Sequence, residues 1–162
     1  MTDLLELFHQ LVRFETELWN AVDARLRDEF DLPLSRLEPM QVIARRPSCR
    51  VNDIAEELSI TIGGTSKLVD RIEAAGYCIR RANPDDRRSS VIELTAAGRR
   101  VLTNAAKAFE DELETRIRSA VPARSLQQLY STLVKLRAAN ASLDQGQRSA
   151  RHRSRHTAES EL

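Results

Sequence analysis

Apolar side chains recur at helical spacing through the first part of the chain. Between residues 3 and 29 they fall three or four positions apart, at Leu4, Leu7, Phe8, Leu11, Val12, Phe14, Leu18, Trp19, Val22 and Leu26. This spacing predicts one long amphipathic helix. Its apolar stripe is too wide for a helix that lies singly on a small core. The pattern therefore indicates burial on more than one side, as in a dimer interface.

Two short helices are predicted after Pro33. Ser35 and Glu38 have the spacing of a capping box, which predicts a helix from there to about Arg46. The next helix is predicted over residues 51–58, because apolar side chains share one of its faces. Those side chains are Val51, Ile54, Ala55 and Leu58.

A third helix is predicted to begin at Thr61 and to end near Ala75. Thr61 suits the N-cap position, and Gly76 suits the left-handed residue that follows a helix. The apolar residues expected on its buried face are Ile62, Leu68, Val69 and Ile72.

The pattern after Gly76 changes to that of a β-hairpin. Residues 77–82 and 91–94 are short and β-prone, and the turn formers of 83–86 lie between them. The predicted tip is charged and consists of Asp85, Asp86, Arg87 and Arg88.

Two further helices complete the predicted elements. Thr95 is expected to cap a helix over about 96–120, which Pro122 ends, and Ser125 with Gln128 resembles a second capping box. The last helix carries an apolar stripe of Leu126, Leu129, Tyr130, Leu133, Val134 and Leu136. Residues 145–162 have almost no apolar content, which predicts a disordered basic tail.

The order of these elements predicts a mainly helical fold with a small β-hairpin. The helices and hairpin of about residues 33–98 have the order of a winged helix-turn-helix. Such a domain places one helix in the major groove of DNA, where base edges are distinguishable, and a hairpin tip in the minor groove. Long helices at about 3–29 and 96–143 flank it, and together residues 1–144 form one predicted domain.

The sequence resembles the MarR family of bacterial regulators. The similarity rests on the segments 51–60 and 65–77 and, most specifically, on the wing at 81–89 and the segment 92–98. The family pattern there is filled by Asp86, Arg88, Leu94, Thr95 and Gly98. The resemblance implies a homodimer whose terminal helices form the dimer interface. It also implies that a small aromatic or lipophilic effector binds between those helices and the winged domain.

Candidate DNA contacts lie on the third short helix and on the wing tip. They are Thr61, Gly63, Gly64, Thr65, Ser66, Lys67, Arg71, Arg87 and Arg88. Asp86 is expected to brace one of the wing arginines. Gly63 and Gly64 lack side chains that could contact bases. They either let the backbone approach a phosphate or are simply tolerated in a frayed first turn.

Composition and charge agree with this interpretation. Residues 1–44 carry 4 basic and 9 acidic side chains, whereas residues 45–100 carry 11 basic and 8 acidic ones, which suggests a polyanionic partner for the middle segment. Charged residues in the first helical turns make a signal peptide unexpected, and a cytoplasmic location is predicted. Cys49 and Cys78 are interpreted as buried structural thiols.

The sequence shows no catalytic motif, and neither an enzyme nor a cofactor is expected. His9, His152 and His156 lack metal-ligand spacing, so no metal site is predicted. Phe14, Leu18 and Trp19 are candidates for lining an effector pocket. Two functions remain open: a ligand-responsive repressor that binds a pseudo-palindromic operator, and a winged-helix dimer that acts as a protein–protein interaction module without specific DNA binding.

Overall fold

The computed structural model describes residues 3–83, 86 and 89–159, with side chains described up to Leu143. In chain order its elements are α1 (Leu4–Phe30), α2 (Leu34–Arg45), α3 (Val51–Leu58), α4 (Ile62–Ala74), β1 (Cys78–Ala82), β2 (Ser90–Leu94), α5 (Ala96–Leu113), a π-helical turn (Glu114–Arg118) and α6 (Ala123–Glu159). The predicted fold class, mainly helical with an antiparallel hairpin, is confirmed. By its contacts the chain divides into two compact units, Met1–Arg116 and Ile117–Leu162.

The core of the first unit lies among α1, α2, α3, α4 and α5. Its largest fully buried side chains include Leu26 of α1, Leu37 and Met40 of α2, Ile54 of α3 and Ile72 of α4. Only the second half of α1 contributes to it, with Val22 and Leu26 as the buried residues of that helix. The first half of α1 therefore keeps its apolar stripe exposed.

The start of α2 differs from the predicted capping box. The helix begins at Leu34, so Ser35 lies inside the first turn and makes no capping bond. The backbone N–H of Leu34 instead donates to Oδ1 of Asp23 on α1, at 2.8 Å. Glu38 is half-buried, and burial, followed by the nearby charge of Glu15, raises its pKa. A tertiary partner thus replaces the local cap.

Asp23→Ala is expected to lower the free energy of unfolding by about 1–2 kcal/mol, which is the usual cost of losing an N-terminal cap. Burial raises the pKa of Asp23, but hydrogen bonds from Arg27 and from the Leu34 N–H outweigh it and hold the pKa below its ordinary value. The stabilisation is therefore complete above the ordinary pKa and is lost as the pH falls through the lowered one. Urea unfolding measures the cost, and Ser35→Ala is the control. An equal loss in both variants would contradict this assignment.

The second unit also departs from the sequence predictions. Helix α6 starts at Ala123, where the N–H groups of Ser125 and Leu126 donate to the carbonyl of Pro122, so the capping box at Ser125 is not formed. The backbone of 145–159 is helical where the sequence predicts a disordered tail. This stretch contains no proline and is rich in arginine, which favours helix without requiring a packed face. Its side chains lie outside the described residues.

Candidate nucleic-acid interface

The α3–α4 turn holds α4 at the surface of the first unit. Ser59 ends α3 in the left-handed conformation, with φ of 55°, and the N–H of Ile60 donates to the carbonyl of Ala55 at 3.0 Å. Thr61 then caps α4 as predicted, because its hydroxyl oxygen accepts from the N–H of Gly64 at 3.1 Å. The two helices therefore form the expected helix-turn-helix.

The two sides of α4 have different surroundings. Thr65, Val69 and Ile72 are fully buried and fix the helix on the core. The opposite side exposes Gly63, Lys67, Asp70 and Arg71 at helical spacing, with Ser66 half-buried at its edge. This exposed set, Gly63, Lys67, Asp70 and Arg71, is called the α4 outer face below.

Two residues of α4 have surroundings that differ from those predicted. Thr65 was expected to contact DNA, but its side chain is buried and its hydroxyl donates to the carbonyl of Thr61 at 2.9 Å. Because this hydroxyl is satisfied within the helix, Thr65 fits the core despite its polarity. Ile62 was expected in the core, but it is 58% exposed because the first turn of α4 extends past the packed residues.

The charges around the α4 outer face are arranged unevenly. Asp70 accepts from the Arg80 guanidinium of β1 at 2.6 Å, and the same guanidinium is bonded to Glu73. Asp70 is therefore a salt-bridge partner within the protein. Within the described part of the chain, by contrast, Lys67 and Arg71 make no ion pair. The outer face therefore presents two uncompensated cations beside a neutralised carboxylate.

Nearby arginines of the helix-turn-helix are engaged in ion pairs within the protein. Arg45 pairs with Glu57 at 2.6 Å, and Arg46 pairs with the same carboxylate at 3.1 Å. Arg50 lies 3.5 Å from Asp53, whose carboxylate also accepts from the Arg50 backbone N–H. The pairs of Arg45 and Arg46 join the end of α2 to α3, and the pair of Arg50 lies at the start of α3. All three arginines are thus engaged in ion pairs, whereas Lys67 and Arg71 form none with the described residues.

The two glycines at the start of α4 differ in their surroundings. A Cβ at Gly64 would lie 3.0 Å from the hydroxyl oxygen of Thr61, so the cap itself favours a small residue there. A Cβ at Gly63 would have nothing within 4 Å among the described atoms. Packing inside the protein therefore explains Gly64 and leaves the open surface at Gly63 accessible from outside.

The hairpin is paired in one register from Cys78 opposite Leu94 to Ala82 opposite Ser90. Arg81 and Glu93 form a cross-strand ion pair at 2.8 Å. Near the tip, the Asn83 amide donates to the Ser89 hydroxyl at 2.9 Å, and the Ser89 N–H donates to the Asp86 carbonyl at 3.1 Å. Arg87 and Arg88 lie outside the described residues, so their role, and bracing by Asp86, remain predictions.

The base of the hairpin is fixed to the helices on two sides. The N–H of Ile92 donates to the carbonyl of Cys49 at 2.7 Å, which ties β2 to the loop before α3. Thr95 caps α5 as predicted and also donates its hydroxyl to the carbonyl of Gly76 at 2.7 Å. Together with the Arg80 bridges, these bonds fix the wing strands relative to α4.

Cys49 and Cys78 are buried, free thiols, as predicted. Burial, together with the charge of Asp53, raises the pKa of Cys49 to about 11. Burial and the charge of Glu73 raise that of Cys78 to about 11 as well. Both thiols are therefore protonated at neutral pH, whereas a reactive cysteine needs a lowered pKa.

The predicted effector residues have unequal exposure. Leu18 and Trp19 are half-buried and pack against the core, whereas Phe14 is 48% exposed. A shallow groove along α1 is lined instead by Phe8, His9, Val12, Arg13, Thr16 and Glu17. The pocket at Phe14, Leu18 and Trp19 remains a prediction.

In the described part of the chain, no helix is long and apolar enough to span a bilayer.

The residues that build this site coincide with a known family. Residues 32–90, which contain α2, α3, α4, β1 and the tip segment, match the model of the MarR family. Over this segment the chain is similar to the MarR family. The resemblance predicted from the wing and from the recognition helix is thereby confirmed.

Relatives of this chain are described as HTH-type transcriptional regulators. It is 27% identical over 73 residues to the uncharacterized regulator YfiV of Bacillus subtilis, which covers 45% of this chain and 46% of the relative. YwhA of the same organism is 32% identical over 60 residues, 37% of this chain and 43% of the relative. The chain thus spans about half the length of these relatives.

Solved structures show the same MarR-type fold. Sco3205 of Streptomyces coelicolor, solved in complex with DNA, superposes with a TM-score of 0.76 at 21% identity over 82% of this chain and 84% of that one. The repressor CouR bound to a 23-mer DNA duplex gives a TM-score of 0.73 at 23% identity, over 84% of this chain and 98% of that one. At these identities the similarity establishes the fold.

Proposed function

We propose that this chain is a DNA-binding transcription regulator that acts as a homodimeric, ligand-responsive repressor on a pseudo-palindromic operator. The observation that carries the proposal is the α4 outer face, where Lys67 and Arg71 have no carboxylate partner among the described residues while Asp70 is neutralised by Arg80. A positive, exposed helix after a helix-turn-helix turn suits the major groove of DNA. The fold shared with DNA-bound Sco3205 and CouR supports the same assignment.

Exposed apolar side chains support dimerisation. In the first half of α1 they are Leu4, Leu5, Leu7, Phe8, Leu11, Val12 and Phe14. In α6 they are Leu129, Tyr130, Leu133, Val134, Leu136 and Leu143. A monomeric protein rarely exposes contiguous apolar surface of this kind, and a second copy would cover it. Two-fold symmetry would place two α4 helices in successive major grooves, about one helical turn apart.

The effector is the finer part of the proposal. CouR of Rhodococcus jostii has been solved bound to p-coumaroyl-CoA, which shows that this fold can hold an aromatic ligand. A small aromatic or lipophilic effector near Phe14, Leu18 and Trp19 would release DNA from this chain.

A nuclease footprint on the DNA that flanks the gene tests the function. We expect a protected stretch with two related halves, and weaker protection when an effector from a panel of small aromatic acids is bound. Absence of protection by a folded protein would favour the interaction-module hypothesis instead.

Gly63→Ala decides between the two explanations of the paired glycines. We expect the free energy of unfolding to stay the same or to rise by up to about 1 kcal/mol, because the added methyl group meets nothing in the protein and alanine favours helix. If the Gly63 backbone approaches a phosphate, the added methyl group removes that one contact, and operator affinity should fall about tenfold. Titration of labelled operator measures it. Unchanged affinity would leave tolerance in the first turn as the explanation.

A further inference from the structure

Ile62 is an apolar side chain in an unusual position. Among the described residues from 31 to 116 it is the most exposed large hydrophobic residue, at 58%, ahead of Ile60 and Ile79. It occupies the first position of α4, directly after the Thr61 cap. The core does not need it, since the buried side of α4 begins at Thr65. Its exposure leaves the Ile62 side chain available to a partner outside the monomer.

The direction of the Ile62 side chain indicates what kind of partner it contacts. Side chains in a helix lean toward its N-terminus, so Ile62 extends beyond the first turn of α4. In a helix-turn-helix, the N-terminal residues of the recognition helix are those that reach base edges. Lys67, five residues further along α4, is exposed as well and adds a positive charge to the first half of the helix. The partner that fits an isoleucine at this place is the floor of a major groove.

Only one base offers an apolar group in that groove. Thymine presents its C5 methyl group, whereas the other bases present hydrogen-bond donors and acceptors that an isoleucine cannot satisfy. Isoleucine is short, so contact requires the helix backbone to come close to the bases. Gly63, beside it, has no side chain, and its Cβ position is open to the outside. Ile62 supplies the apolar group, and the absence of a side chain at Gly63 lets the helix backbone come close enough to the bases for contact.

From this arrangement we propose that Ile62 recognises the methyl group of one thymine in each operator half-site. The inference rests on the proposed function and adds a specificity-determining residue to it. Lys67 and Arg71 supply charge, which attracts any duplex, whereas Ile62 selects thymine at one position. Gly63 is the neighbour that makes the contact possible.

The test replaces the thymines of the footprinted operator by deoxyuridine, one at a time, which removes only the methyl group. Wild-type protein should lose affinity about fourfold at one thymine per half-site, the value of one buried methyl group at about 0.8 kcal/mol. Ile62→Ala should bind the two versions of that site equally, and Ile62→Val should keep part of the discrimination. Comparing wild type and Ile62→Ala on the thymine and the deoxyuridine operators isolates the coupling free energy between Ile62 and the thymine methyl group.

Ile60→Ala is the matched control, because Ile60 is an exposed isoleucine two residues away, outside the helix. It should retain the wild-type response to deoxyuridine. Thermal unfolding checks that Ile62→Ala folds, which its exposed position favours. If wild type and Ile62→Ala lose the same factor at every thymine, or if no thymine matters, the inference fails while DNA binding stands. If no duplex is bound at all, the proposed function itself fails.

Discussion

Replacing Lys67 and Arg71 together by alanine is expected to lower operator affinity about a hundredfold or more. Each side chain is worth about 1–3 kcal/mol if it contacts phosphate or base, and about 1.4 kcal/mol corresponds to a factor of ten. Because neither cation makes an ion pair among the described residues, their removal leaves no internal carboxylate unpaired. Folding should therefore be preserved, and the loss should appear only in binding. Anisotropy titration of labelled operator at one fixed salt concentration measures the effect.

The matched control removes the same charge from another exposed helix. Arg100 and Lys107 are exposed on α5, so the Arg100→Ala, Lys107→Ala variant has the same net charge as the test variant. It should bind within a few-fold of wild type, since distant exposed charges are screened by salt. Equal losses in the two double variants would mean that total charge, and not the α4 outer face, governs binding.

Gly98→Ala is expected to cost about 3 kcal/mol of stability, at the upper end of what overpacking usually costs. A Cβ on Gly98 would overlap the carbonyl oxygen of Tyr77 and lie 2.8 Å from its carbonyl carbon. Both atoms belong to the backbone that leads into β1, and the same Tyr77 oxygen accepts the N–H of Thr95. Neither the strand nor the start of α5 can move without breaking that bond. For a chain of this size the midpoint of thermal unfolding should fall by about 6–12 °C.

Gly63→Ala provides the comparison for Gly98→Ala in the same melting experiment. Both glycines lie in the first turn of a helix that a threonine caps, but only Gly98 is covered by backbone. The Gly63 variant should melt at or slightly above the wild-type temperature. If both variants melt alike, the close approach between α5 and Tyr77 is not what Gly98 provides.

Local features of the sequence predicted the helix-turn-helix well. Thr61 and Thr95 cap their helices because each hydroxyl oxygen accepts a hydrogen bond from the backbone N–H three residues ahead, within the same short segment. The presence of the hairpin also follows from two β-prone segments on either side of a turn cluster. Such contacts are encoded by neighbours in the chain, so sequence patterns are sufficient to find them.

Features that depend on tertiary packing were beyond those patterns. Ser35 looked like a cap, but the carboxylate of Asp23, eleven residues before Leu34, accepts the Leu34 N–H. Thr65 looked exposed because it is polar, yet the Thr61 carbonyl satisfies its hydroxyl and lets it enter the core. Ile62 looked buried because it is apolar, yet the core ends one turn later. For Ser35 and Ile62 a partner or a boundary outside the local segment decides the outcome, whereas the Thr65 hydroxyl is satisfied within its own helix.

The central claim is that the α4 outer face binds the phosphate-lined groove of duplex DNA, and the salt dependence of operator affinity tests it most directly. Four cations from two protomers, Lys67 and Arg71 of each, would give a slope of about −3.6 or steeper in a plot of log affinity against log salt. Affinity should then fall about a hundredfold between 50 and 200 mM salt. A flat slope, or no duplex binding by the folded protein at low salt, would contradict the claim.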